Sequence, residues 1–395
     1  MSSDIPAFWR AGFRPFFLSG AFYALLVLCL WILSLTGYLE YNSYIAPSLI
    51  HGHEMLYGFG VAAIAGFILT AMPNWTNTPP LSGLPLAGLY SLWLLGRISL
   101  WAGTSLPFVL LAAIDLLFLP ALALMTARVL YKAGNKKNLM LPGIFMVLAL
   151  GNLAFYLSEM SVIEVSSRTI LEAAISILIL LITIIGGRIV PAFTRNALHR
   201  QGIMVEVSAP AKLSMACIIG TFLMVLGDLF VSANSPEVFA GFCLLLALIH
   251  LVRLYYWKGW LTLNDPLLWS MHIGYLCIPA GLLLKSYGLY EYGYFWEGAL
   301  HALTTGAIAT MVLVVMIRAG LGHSGSPLQT RPLLTSALIA ITLAAIFRVA
   351  QSVYEGPLSI PILHTSGLLW TIAFGFYVIH FLPIMLKPRL DGKPG

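Results

Sequence analysis

The chain has 395 residues, of which 59% are hydrophobic and 9% charged, and its 21 Lys and Arg against 15 Asp and Glu give a formal net charge of +6. That composition excludes an ordinary soluble domain and a disordered chain alike, and belongs to polytopic membrane proteins. The positive excess is no nucleic-acid footprint, because the basic residues sit at the ends of apolar runs beside lipid headgroups and do not gather into one patch.

Met1 to Pro6 lacks the basic start and cleavage site of a secretory signal, so the first apolar run, near 17–37, reads as a retained helix entered through Phe13-Arg14-Pro15-Phe16-Phe17. The second run, near 50–72, opens with His51, His53 and Glu54, continues for about twenty residues without another charge, and stops at Pro73-Asn74-Trp75. Gly58, Ala62 and Gly66 recur every fourth residue along it, a smooth ridge for another helix or for the flat face of a large cofactor. Runs near 85–103 and 106–130 carry Arg97 and Asp115, which on adjacent helices could form a buried pair. After runs near 139–159 and 168–187, Gly186-Gly187-Arg188 followed by Pro191 is expected to leave the sixth helix as a bent backbone. Arg188 there suits a carboxylate such as a haem propionate, the alternative being a helix stop with a snorkelling arginine.

A cytoplasmic connection at about 188–210 then divides the chain into possible halves, 1–187 and 211–395, of a single integral membrane domain. Runs near 211–233, 237–257, 266–287, 296–318, 332–353 and 361–384 complete an all-α bundle of about twelve transmembrane helices. Ala302, Gly306 and Thr310 repeat the small ridge on the tenth, so the second and tenth helices are expected to face each other. Basic residues cluster at Arg10 and Arg14, at Arg128 to Lys137, at Arg188 to Lys212, at Arg253 and Lys258, at Arg318 and Arg331, and at Lys387 to Lys393. The opposite loops carry Glu40, Glu159, Glu164, Glu237, Glu291 and Glu355, which places both termini in the cytoplasm. Cys29, Cys217, Cys243 and Cys277 lie inside apolar runs without C-x-x-C spacing and read as small core residues.

On this topology the nine histidines sort by depth. His51, His53, His301 and His364 share an outer layer on the order of 10 Å thick at 1.5 Å rise per residue. Imidazole inside membrane spans marks polar cavities and is the commonest protein ligand for copper, iron and haem, so these four are candidate metal ligands. A histidine at a helix end can equally sit among headgroups. Residues two apart on a helix point about 200° away from each other, so His51 and His53 would serve two centres. Glu54, at i+3 from His51, could orient that imidazole or carry protons, and is the candidate catalytic residue. Glu297 stands one turn before His301 in a similar relation. Deeper toward the cytoplasm, His272 and His380 could hold a haem from two helices, with His250 nearer the middle, or could simply hydrogen-bond between helices.

The strings FRPFFL at 13–18, HGHEMLYGFG with AIAGFILTAMPNWT at 51–76, GGRIVPAFTRN at 186–196 and HALTTGAIATMVLVVMIRAGLGHSG at 301–325 together resemble the NnrS family of bacterial membrane proteins. The resemblance implies a twelve-helix inner-membrane protein containing haem, expected to be b-type, and copper. It further implies association with denitrification and protection against nitric oxide and nitrosative stress. By position, His51, His53 and Glu54 match the family's first histidine motif and His301 its later one, while Arg14, Arg188, Asn74 and Trp75 fall in its other signature strings. Arg14 and Arg188, with His272 and His380, are thus the candidate cofactor contacts. The family pattern usually has Ala where Gly52 stands and Arg where Ser326 stands, and the second change leaves the 323–326 loop without an assigned role.

Two other classes compete. Nitric-oxide-reductase-like respiratory enzymes also use about twelve helices and a haem facing copper, but this chain lacks their adjacent His-His pair. A secondary transporter suits two sixes of helices, yet the 74–84 loop has no basic residue and transport leaves the histidine layer unexplained. The resemblance, added to the histidine layer, therefore implies a multi-pass inner-membrane protein in the lipid bilayer that binds haem and copper and meets nitric oxide or a related small ligand, with an unidentified electron donor and no nucleic acid.

Overall fold

The computed structural model describes residues 5–232, 234–291 and 295–389, so Met1 to Asp4 and Lys393 of the last basic cluster lie outside the described residues. Twelve long helices account for the architecture, and no strand occurs among the described residues. We number them α1 (Phe13–Leu35), α2 (Pro47–Thr76), α3 (Leu84–Ala102), α4 (Phe108–Lys132), α5 (Lys136–Glu159) and α6 (Ser167–Arg200). They continue as α7 (Ala211–Phe230), α8 (Pro236–Tyr256), α9 (Pro266–Tyr290), α10 (Trp296–Ser324), α11 (Pro332–Val353) and α12 (Ser359–Met385). Eleven are long and apolar enough to cross a membrane. The exception, α3, has 19 residues and spends one of its apolar positions on Arg97.

The boundaries follow local chemistry. Prolines open α8, α9 and α11 at the first turn, where a missing N–H costs nothing. Asn77 ends α2 in the left-handed conformation, with φ 53°. Gly103 ends α3 at φ 55°, and a Cβ there would sit 1.9 Å from the Asn42 carbonyl, so only glycine fits. The expected break at Gly186-Gly187-Arg188 does not occur. α6 runs unbroken to Arg200 with Pro191 inside it, because one lost hydrogen bond is a small defect in a 34-residue ladder that has no water to turn to.

Two helices depart from α geometry at corresponding places. Glu54–Gly60 in α2 and Ala302–Ala309 in α10 are π-helical, each beginning one residue after a histidine, His53 and His301. Such wide turns gather at functional sites.

The described chain divides into two compact units. The first comprises Met1–Leu171, Val315–Gln329 and Phe374–Gly395, and the second Glu172–Val314 and Thr330–Ala373. Within the first, α1 packs along α2. A Cβ on Gly66 would meet Phe17 at 2.5 Å, one on Gly58 would meet Tyr23 at 2.5 Å, and Gly20 faces Ala62. The small ridge of α2 is therefore filled by α1. Within the second, Gly306 of the α10 ridge lies against Cys277 of α9, and Gly281 of α9 lies against Leu303. Each ridge thus meets a neighbour from its own unit, where the sequence suggested that the two ridged helices face each other. Close approach of backbones at such ridges is how membrane helices gain packing contact when lipid is as apolar as their side chains.

The distribution of polarity is that of a protein dissolved in lipid. Phe22, Val109, Phe230 and Leu245 are 58–69% exposed, whereas Arg14, His53, Glu54, Arg97, Asp115, Asp228 and Lys285 are buried.

Candidate functional site

The densest polar cluster lies inside the first unit. Glu54, at the start of the π-helical turn of α2, accepts hydrogen bonds from Arg97 of α3 and Tyr23 of α1. Arg97 reaches on to Asp115 of α4, forming the pair expected from their positions in the sequence. Gly96 admits this contact, since a Cβ there would sit 2.7 Å from the Asp115 carboxylate. Asp115 also accepts from Asn152 of α5 at 2.9 Å and from the Tyr156 hydroxyl at 3.0 Å. Trp101 donates to Tyr23 at 2.7 Å, closing an outer ring of neutral donors around the two carboxylates.

His53 completes the cluster. Its Nδ1 lies 2.8 Å from Glu54 Oε1 and its Nε2 2.8 Å from Asn152 Oδ1, with Asp115 Oδ2 at 3.5 Å. Phe155 and Tyr57 cover the ring, their centroids 4.8 and 4.9 Å away. The sequence left Glu54 to orient His51 or to carry protons. Instead the Arg97 guanidinium draws the carboxylate inward and the adjacent His53 meets it there.

The hydrogen-bond pattern limits the protonation states. Asn152 Oδ1 accepts, so His53 Nε2 carries a proton. A single further proton is then shared across the Nδ1···Oε1 contact. If His53 holds it, an imidazolium and Arg97 balance two carboxylates. If Glu54 holds it, Arg97 balances Asp115 alone. The cluster is neutral both ways, so the proton can change sides without leaving net charge in a low-dielectric interior.

The other candidate residues are dispersed. His51 is half-buried and stacks on Trp31 of α1, with centroids 5.0 Å apart and planes 17° from parallel. Arg14 donates to the carbonyls of Ile384, Met385 and Lys387, at 3.2, 2.8 and 2.7 Å, and so caps the end of α12. His380, also in the first unit, meets the edge of Phe381.

His301, His364, His272 and Arg188 belong to the second unit. His301 Nδ1 lies 2.8 Å from the Glu297 carbonyl, which can only accept, so Nδ1 is the protonated, donating nitrogen of that contact. Glu297 in turn lines a cavity of about 610 Å³ with Arg348, Gln351, Tyr354, Glu355 and Ser359. His364 and Arg188 are exposed. His272 Nε2 lies 2.9 Å from the Thr194 hydroxyl, and His250 sits between Thr221 and Tyr275. Among the described residues no group of three or more His, Cys, Asp and Glu side chains is placed to hold a metal ion.

Sequence reasoning missed Tyr23, Asn152 and Tyr156, which carry no charge and follow no motif. It also passed over Lys285 and Asp228 of the second unit, which pair with each other. The signal that singles out Arg97, Asp115 and Arg348, a charge inside an apolar run, applies equally to these two.

The family model described as NnrS protein matches residues 7–389 of the chain. No curated protein matches it.

Proposed function

The chain belongs to the NnrS family, and on that premise we propose that it is a haem- and copper-binding protein of the bacterial inner membrane that protects the cell against nitric oxide. Membership supports a nitric-oxide-related membrane protein in general. The observation that carries the metal reading is the state of His301. A ligating histidine donates its other ring N–H to a carbonyl or carboxylate, and the Glu297 backbone carbonyl accepts such a hydrogen bond from Nδ1. With Nδ1 so held, Nε2 would be the nitrogen that holds haem iron. Haem bound there would supply an iron that takes a small diatomic ligand. Arg348, on the wall of the cavity that Glu297 lines, is the cation suited to a carboxylate. His51 and His364 are the further imidazoles to which metal binding is assigned. A three-donor set of the kind copper commonly takes is not assembled among the described residues, and no step is assigned to copper.

His53 and Glu54 take a different part. Both His53 nitrogens are engaged, so we assign the ring to the charge network and not to a metal. The pair holds one exchangeable proton in a neutral cage, which suits a group that delivers or receives a proton when the chemistry of a bound ligand demands one.

The test is an optical spectrum of the detergent-purified protein, oxidised and dithionite-reduced, with iron and copper analysis on the same sample. Sharp reduced bands with stoichiometric iron, perturbed by nitric oxide and lost in His301→Ala, are expected. A colourless, metal-free protein from haem-replete cells would overturn the reading and favour a transporter.

A further inference from the structure

Two basic clusters from opposite ends of the chain come together in the first unit. Arg14, at the start of α1, reaches the carbonyls of Ile384, Met385 and Lys387, so the entry to α1 lies against the exit of α12. The end of α10 joins them: the Phe13 and His323 rings are 5.8 Å apart, and a Cβ on Gly320 would sit 2.5 Å from Phe381. Arg10 and Arg389 are near enough to Arg14 for their charges to act on it, and Arg389 acts on His323 as well.

The charge gathered at this junction has one sign. Residues 5–19, 318–327 and 376–389 contain Arg10, Arg14, Arg318, Lys387 and Arg389, and no Asp or Glu. Arg14 is fully buried, yet it meets no carboxylate among the described residues, in contrast to Arg97 and Lys285. Its hydrogen bonds go from Nη1 to carbonyl dipoles, which leave the positive potential of the junction largely standing. The donors that a ligand can reach lie above it, since Lys387 is exposed and Arg10 and Arg389 are half-buried. Arg14 itself contributes field and no contact.

An apolar face leads away from these donors. Ile379, Leu382 and Leu386 follow one another at helical spacing along α12 and its exit, and are 64%, 44% and 55% exposed. A ligand that satisfies both features carries negative charge at one end and hydrocarbon at the other.

We propose that the junction of α1, α10 and α12 binds an anionic phospholipid, with its phosphate on Arg10, Lys387 and Arg389 and an acyl chain along Ile379, Leu382 and Leu386. Basic pockets between membrane helices take such heads. A zwitterionic lipid brings an ammonium that this cluster repels, and a free phosphate leaves the α12 face uncovered.

The test titrates delipidated, full-length protein in detergent with phosphatidylglycerol, and with phosphatidylethanolamine of the same chains, counting bound lipid by native mass spectrometry. Saturable retention of phosphatidylglycerol that weakens with salt is expected. Arg10→Gln and Arg389→Gln should each weaken it about fivefold, and together about twenty-five-fold. Both side chains reach the surface, so the fold should survive their loss, and an unchanged thermal midpoint checks that it does. Leu382→Ser with Leu386→Ser should weaken retention while every charge is kept. Arg128→Gln with Lys132→Gln removes the same charge from the exposed end of α4 and should change nothing. Equal loss in that variant, or equal retention of phosphatidylethanolamine, would reduce the binding to general adsorption and overturn the proposal. Displacement of the lipid by inorganic phosphate at equal concentration would overturn it too, by making this a site for a soluble anion.

Discussion

The two units each bury ionised side chains, but they do so in different ways. In the second, Lys285 of α9 pairs with Asp228 of α7, Ser176 of α6 donates to the same carboxylate, and the rings of Phe239 and Trp296 lie 5.5 and 5.4 Å from the ammonium. Lys285 hydrogen-bonds the Asp228 carboxylate and also feels that of Glu172, and the other contacts named are a neutral donor and π-faces. In the first, two carboxylates, one guanidinium and one imidazole share a proton whose position is not fixed by the count of charges. The Lys285 pair has one low-energy state and holds helices together. The His53–Glu54 cluster has two, and only an arrangement with two can take part in proton chemistry. Burial of charge therefore does not by itself mark a site; spare titration capacity at constant net charge does.

Breaking the simple pair should produce the largest effect. Lys285→Met leaves Asp228 buried without its cation, and a loss of about 3–5 kcal/mol is expected, read as a lowered thermal midpoint in detergent or as failure to accumulate. Adding Asp228→Asn to it should restore most of that stability, since a buried ion pair replaced on both sides is often close to neutral. If the double variant remains as unstable as the single one, the pair does more than hold helices. The smallest effect should come from Glu54→Gln, which mimics the state with the proton on Glu54. A cost of about 0.5–1.5 kcal/mol is expected, with His53 left neutral and any protonated-carboxyl stretch of Glu54 removed from the infrared difference spectrum. A loss as large as that of Lys285→Met would show that the first cluster also has a single state, and the contrast would fail.

The helices and the Arg97–Asp115 pair were legible because apolar runs and isolated charges act through composition and depth alone. The fate of Glu54 was not. On an ideal α-helix it shares a side with His51, but the π-helical turn and the pull of Arg97 rotate it into the cluster, and no local pattern announces either. The continuation of α6 was hidden for a related reason: Gly186, Gly187 and Pro191 read as punctuation in water, whereas Gly187 is needed where the Arg253 guanidinium presses on the backbone. The metal reading depends on pattern and family resemblance, and His301 contributes to it a ring whose Nδ1–H is directed at the Glu297 carbonyl.

The clasp of Arg14 on the end of α12 joins segments about 370 residues apart. At translation rates of roughly 5–20 residues per second, a ribosome takes some 20–70 s to cover that distance. For that interval α1 sits in the membrane with a guanidinium whose acceptors have yet to be made. A chain that stops before Ile384 never receives them, and keeps in its earliest helix a guanidinium without these carbonyls.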